Sequence, residues 1–221
     1  KLNTVYLSRL YIRSGENRDR HELGRTLRQF LIAQYMIVLP LATVGTWWFA
    51  KIMIEGLLPR YEAALEPTRL LLLTAFVVPQ TSMVRNFWMI DKRLKAIGIV
   101  NACGLAGMLL LMTGIVSEGE LTLERVGAAY LAGFSLHFVF LMATVGREVW
   151  GLRSTLKVGL AALGSMAYSG GIMTLVKPAP VTGGLIAMLR ESAVPAFGSL
   201  ALLIPLMWAG WKWSGVKGLR P

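Results

Sequence analysis

Apolar positions along the chain fall into six blocks, roughly 29–54, 69–90, 96–116, 126–146, 156–176 and 194–211, divided by short charged, polar or Gly/Pro-containing stretches. Each block is near the length of about 20 residues that carries a helix across a hydrocarbon core of about 30 Å. Strands of a barrel would be shorter, and an unclosed strand leaves its backbone unsatisfied in lipid, so helix is the form left to every block. The pattern therefore predicts an all-α integral membrane protein, a bundle of six transmembrane helices. Pro40, Pro79, Pro195 and Pro205 fall inside the blocks, where they predict kinks rather than ends.

The charges between the blocks set an orientation. Lys1, Arg9, Arg13, Arg18, Arg20, Arg25 and Arg28 precede the first block, and the same side continues with Lys92, Arg93, Lys95, Arg147, Arg153, Lys157, Lys212, Lys217 and Arg220. The alternate loops carry Glu55, Glu62, Glu66, Glu118, Glu120, Glu124 and Glu191 against Arg60, Arg69, Arg125, Lys177 and Arg190. The excess of Lys and Arg in cytoplasmic loops then places both ends of this segment in the cytoplasm, as six crossings require. The organisation expected is a basic cytoplasmic linker over 1–28, a four-helix membrane bundle over 29–146, and two further helices with a cytoplasmic tail over 147–221. The linker alternates basic residues with Leu10, Leu23, Leu27 and Phe30; it is either an ordinary connector or a stretch lying in the anionic headgroup layer. Lys177-Pro178-Ala179-Pro180 followed by Thr182-Gly183-Gly184 predicts a stiff turn and a sixth span coupled less tightly to the rest. The seven tryptophans fall mostly near expected span ends, the depth that amphipathic rings prefer.

Composition sharpens this reading. Hydrophobic residues make up 55% of the 221 and charged residues 16%, against about a quarter charged in soluble domains. The net charge of +11 would suggest nucleic acid in a soluble chain, but here it lies between apolar blocks and topology accounts for it, so no nucleic-acid partner is expected. Cys103 is the single cysteine, which excludes an internal disulfide framework and a thiolate metal cluster. The segment opens Lys1-Leu2-Asn3 inside a basic stretch and is expected to be part of a longer protein.

Catalytic chemistry has little to stand on. The chain contains no HExxH, no paired-cysteine spacing, no GxSxG and no phosphate-cradling glycine loop, so neither an enzyme nor a metal or cofactor is expected. His21 lies in the linker, while His137 falls near the middle of the fourth block with Tyr130 and Gly133 seven and four residues before it, on one helical face. An ionisable group at that depth is a candidate functional residue. Gln80, Thr81 and Ser82 follow Pro79 at similar depth in the second block. Two readings stay open: a polar cavity at the midplane lined by Gln80, Ser82, Tyr130 and His137, or an ordinary interhelical hydrogen bond from a neutral imidazole. Arg85 and Asn86 sit one and a half turns from the cytoplasmic end of the second block and Asn101 at matching depth in the third. There the guanidinium could hold a phosphate in bidentate fashion with the amides orienting it, or simply snorkel to the interface. Ala102/Ala106, Cys103/Gly107, Ala128/Ala132, Ala129/Gly133 and Ala161/Ser165 are small-xxx-small pairs that predict close helix packing.

The ordered pattern of a basic linker, then Glu55-Gly56-Leu57-Leu58-Pro59-Arg60-Tyr61-Glu62-Ala63-Ala64, then Leu70-Leu71-Leu72-Leu73, resembles the oligosaccharide flippase (polysaccharide transporter) family of the multidrug/oligosaccharidyl-lipid/polysaccharide exporter superfamily. Asp91-Lys92-Arg93-Leu94-Lys95 and Val126-Gly127-Ala128-Ala129-Tyr130 look like that family's cytoplasmic turn and its following helix entry. The resemblance covers roughly 9–146. It implies the C-terminal part of a two-lobed transporter whose N-terminal helical bundle precedes Lys1, and which moves polyprenyl-diphosphate-linked saccharides across the bacterial cytoplasmic (inner) membrane by alternating access. The partners it implies are the lipid-linked saccharide, membrane lipids, and a glycan polymerase or glycosyltransferase. In that reading Arg85 binds phosphate, Asn86 and Asn101 orient it, and Gln80, Ser82, Tyr130 and His137 line the passage. Three alternatives remain: a drug/cation antiporter of the same superfamily, which needs an intramembrane carboxylate that none of the six blocks holds at depth; an integral membrane glycan-processing enzyme using His137 as base; and a non-transporting scaffold.

Overall fold

A computed structural model of the protein describes residues 20–78, 81, 94–117, 122–175 and 185–214. They are almost entirely helical, with no strand among the described residues. The first rod is continuous: α1 (Arg20–Ala33), a π turn (Gln34–Val38) and α2 (Leu39–Leu57) follow without a break. The π turn lies just before Pro40, whose missing N–H interrupts the ladder. There the Leu39 amide reaches back to the Gln34 carbonyl, and the helix widens instead of breaking.

An exposed 3-10 turn (Pro59–Ala64) leads into α3 (Leu65–Thr74), which tightens through hydrogen bonds from the Ala75, Phe76 and Val77 amides to the carbonyls three residues back. Next come α4 (Leu94–Ser117) and α5 (Leu123–Leu141). The Thr122 hydroxyl caps α5 by accepting from the Arg125 amide at 3.3 Å. A second π turn (Met142–Gly146) and the short α6 (Arg147–Trp150) extend α5, and Gly151 alone separates α6 from α7 (Leu152–Leu175). Gly151 adopts φ 73°, ψ 163°, a region open essentially to glycine alone. It lets the chain reverse within one residue. The last described elements are α8 (Leu185–Leu202), carrying Pro195, and α9 (Ile204–Ser214).

Five helical stretches are long and apolar enough to cross a membrane: Gly24–Leu57, Leu94–Ile115, Leu123–Trp150, Leu152–Leu175 and Arg190–Ser214. They coincide with five of the six expected blocks. Of the remaining one, 69–90, the described part is α3 with its turn through Val78, and Thr81; the rest lies outside the described residues.

Contacts between named residues fix how the rods run. Gly24 lies against Val149 and Trp150 while Tyr35 meets Phe138 edge-on at 6.1 Å, so the first rod and α5 are antiparallel. Arg28 Nη1 donates to Ser154 Oγ at 2.8 Å, setting α7 parallel to the first rod. Gly127 rests on Pro67 and Leu70; Gly104 lies on His137 and Gly133 on Met108, which makes α4 antiparallel to α5. One end of the bundle thus gathers Arg25, Arg28, Lys95, Arg147, Arg153 and Lys157. The other gathers Glu55, Glu62, Glu66 and Glu124, with Glu55 held by Lys51 at 3.5 Å and Glu66 paired with Arg69. Leu65 and Leu94 consequently sit at opposite ends.

The core joins the first rod to α3, α5 and α7 through Leu31, Tyr35, Val44, Phe76, Phe138 and Val158, all buried. Leu105 and Leu110 on α4, Leu160 on α7, and Phe197 and Trp208 on α8–α9 are exposed. Two expectations are corrected. The last span is not loosely coupled: Trp48 Nε1 donates to Ser199 Oγ at 2.9 Å, Ser199 donates to the Pro195 carbonyl at 2.8 Å, Gly210 presses on Met36, and Tyr168 donates to the Leu202 carbonyl at 2.7 Å. Trp47 and Trp48 do not mark a span end; both are buried well inside the first rod, where an indole can pack and find one acceptor.

Candidate functional site

Of the residues singled out in the sequence, Gln80, Ser82, Arg85 and Asn86 lie outside the described residues. Asn101, Tyr130 and His137 are described, each half-buried. The imidazole of His137 lies on the backbone of Gly104: a Cβ at Gly104 would come within 2.6 Å of its Cγ and Nδ1. Asn101 is one turn before Gly104, so Asn101 and His137 share a level of the α4–α5 hairpin. Tyr130 stands about 10 Å further along α5, its ring 4.5 Å from that of Phe134. Glycines make this hairpin tight, because Gly107 meets the Leu136 side chain and Gly133 the Met108 side chain at distances where any Cβ would clash.

A second set of polar groups lies deeper. The side-chain oxygens of Gln34, Tyr35, Ser135, Ser165 and Ser169 are buried with no hydrogen-bond partner among the described residues. Tyr35 and Ser169 are 0% exposed and Ser165 1%. The neighbouring Thr43 and Thr155 are satisfied by their own helices, donating to the carbonyls of Leu39 at 2.7 Å and Gly151 at 2.9 Å. Each unsatisfied buried group costs about 1–3 kcal/mol, so five together are a substantial expense for a packed interior.

The register places these groups near one another in depth. Tyr35 faces Phe138, Ser135 is one turn from Phe138, and His137 is its neighbour. Gly146 against Thr155 sets α7 beside α5, which brings Ser165 within about one turn of the Tyr35 level. Gln34, Tyr35, Asn101, Ser135, His137 and Ser165 therefore occupy a layer about 10 Å thick drawn from four rods, with Ser169 one turn beyond. The described carboxylates stand at the helix ends and none enters this layer, and no group of three His, Cys, Asp or Glu could hold a metal among the described residues. The layer holds hydroxyls, amides and the His137 imidazole, groups able to hydrogen-bond water or a hydroxyl-rich solute.

Sequence reasoning singled out Asn101 and His137 but set them at different depths, Asn101 with Arg85 near the cytoplasmic end and His137 at the midplane; it missed Gln34, Tyr35, Ser135 and Ser169, and read Ser165 with Ala161 as packing alone. A signal was present. Gln34-Tyr35 interrupts an apolar block, and Ser165 and Ser169 recur four residues apart on the face of Ala161, which is one stripe of a helix.

Compared with models of known families, with curated proteins and with solved structures, the chain matches none.

Proposed function

We propose that this chain is a membrane-embedded helical lobe of a transporter that moves a lipid-linked oligosaccharide or polysaccharide repeat unit across a bacterial cytoplasmic membrane by alternating access. Its basic end faces the cytoplasm, as the bias of Lys and Arg requires. The observation that carries the reading is the layer of oxygens on Gln34, Tyr35, Ser135 and Ser165, buried without a hydrogen-bond partner among the described residues of a largely apolar bundle. Polar groups inside a membrane bundle mark the route of a polar solute. A hydroxyl-rich headgroup enters hydrocarbon only where such groups replace its water.

In this mechanism Arg85 and Asn86 receive the diphosphate near the basic end, and Asn101 orients it from the level of His137. The sugar passes the layer that holds His137, with Gln80, Ser82 and, about 10 Å further along α5, Tyr130 lining the passage, and the polyprenyl tail stays in lipid as the lobes rock. The sequence pattern around Glu55–Ala64 and Asp91–Lys95 supports the same family. So does the chain's passage from one end of the bundle at Leu65 to the other at Leu94, which supports a sixth crossing over 69–90. The two π turns add support, since π turns cluster at functional sites.

The test is a flipping assay on the full-length protein in proteoliposomes with a fluorescent polyprenyl-diphosphate oligosaccharide. Tyr35→Phe combined with Ser165→Ala and Ser169→Ala removes three orphaned hydroxyls. Replacing unsatisfied polar groups by apolar ones is neutral or stabilising for the fold, so Tm in detergent is expected to hold or rise while the flipping rate falls at least about tenfold. Unchanged flipping with a raised Tm would assign the hydroxyls to packing and remove the passage.

A further inference from the structure

A cavity of about 320 Å³ opens on the outside of the bundle between α5–α6 and α7. One wall is Phe138, Met142, Ala143 and Arg147; the other includes Leu156 and Leu160 with Gly159 between them. The π turn Met142–Gly146 bulges α5 in the middle of the first wall, and the one-residue reversal at Gly151 keeps the two walls together at their base. The lining is hydrocarbon except for Arg147 and Thr155, and Thr155 is already bonded to the Gly151 carbonyl.

Two measures identify what fits. From Arg147 to Phe138 the wall runs nine residues of helix, about 14 Å, close to the 15 Å or so of hydrocarbon in one leaflet, half of a core of about 30 Å. Charge is placed at one end only. Arg147 is exposed at the foot of the groove, with the exposed Glu148 next to it in sequence, and α7 carries the exposed Arg153 and Lys157 three residues before the lining residues Leu156 and Leu160. A guanidinium at headgroup depth above an apolar slot one leaflet long complements a phosphate carried on an acyl chain.

We infer that this groove is a binding site for one anionic phospholipid of the basic-end leaflet, with its phosphate on Arg147 and an acyl chain along Leu156, Leu160 and Met142. The inference rests on the membrane embedding proposed above and is independent of the saccharide substrate.

Native mass spectrometry of the full-length protein in detergent, titrated with palmitoyl-oleoyl phosphatidylglycerol or the matching phosphatidylcholine, tests it. Wild type is expected to bind one phosphatidylglycerol at least tenfold more tightly than phosphatidylcholine. Arg147→Gln is expected to abolish that preference. Gly159→Leu is expected to weaken both lipids tenfold or more, because a Cβ at Gly159 meets nothing within 4 Å and the added side chain fills the groove without a backbone clash. Circular dichroism and Tm of the two variants establish that they fold. Equal binding of both lipids by wild type, or phosphatidylglycerol binding unchanged in both folded variants, overturns the site. Competition by glycerol phosphate as effective as by the intact lipid overturns the acyl part of it. Recovery of the protein without detergent would instead overturn the membrane embedding itself.

Discussion

His137 illustrates how much a contact adds to a position read from sequence. Its position in the middle of an apolar block pointed to a functional group, and the structure adds that its ring rests on Gly104, a neighbour chosen by absence of a side chain. Gly104→Ala places a methyl carbon 2.6 Å from that ring and is expected to destabilise the protein by about 1–3 kcal/mol, the usual cost of overpacking. Thermal unfolding in detergent checks this. The double variant Gly104→Ala with His137→Ala is expected to recover part of the loss, since the two sites are in contact; an unchanged Tm for Gly104→Ala alone would show that the helices are not this close. Gly151→Ala is a second test at this scale, expected to cost about 1–3 kcal/mol because alanine is strained at φ 73°, ψ 163°. Of these glycines, the sequence offered Gly107 and Gly133 through their spacing from Cys103 and Ala129. Gly104 and Gly151 carry no such spacing, since their role is set by which side chain arrives opposite or by a backbone turn.

At the scale of elements, hydrophobic length alone located five rods, because a run of apolar residues near the bilayer thickness has few alternatives. Block 69–90 was less legible. It carries Pro79, and its described part forms α3 and a tightened turn ahead of that proline, where the missing N–H and the ring's crowding of the preceding turn disfavour a regular helix. The π turns were invisible to periodicity: a single inserted residue shifts the apolar stripe without altering composition. The docking of the last span was misjudged because the Pro/Gly-rich connection near 177–184 describes only the covalent tether. What couples α8 to the first rod is the relay from Trp48 through Ser199 to the Pro195 carbonyl, joined across a sequence distance no local pattern reports. Trp48→Phe keeps the ring and removes the donor, so it is expected to lower stability by about 1 kcal/mol, read as a reduced Tm. No change would mean that packing alone holds the span.

For the whole molecule, the charge bias that suggested orientation becomes a geometric property once the rods are in register, with Arg28, Arg147 and Arg153 at one end and Glu62, Glu66 and Glu124 at the other. In a Cys103→Ser background, Glu62→Cys is expected to react with a membrane-impermeant maleimide in intact cells, and Arg153→Cys only after permeabilisation. The reverse pattern would invert the topology. The same background decides whether the interior layer meets water. Ser165→Cys, in the buried layer, is compared with Leu110→Cys, 73% exposed on the outer face of α4, using a small charged methanethiosulfonate reagent on the full-length protein in membranes. A water-lined passage predicts that Ser165→Cys is modified at least tenfold faster than Leu110→Cys and is protected by the lipid-linked saccharide. Equal inertness of the two cysteines would mean a dry interior, and the polar layer would not be a route for any solute.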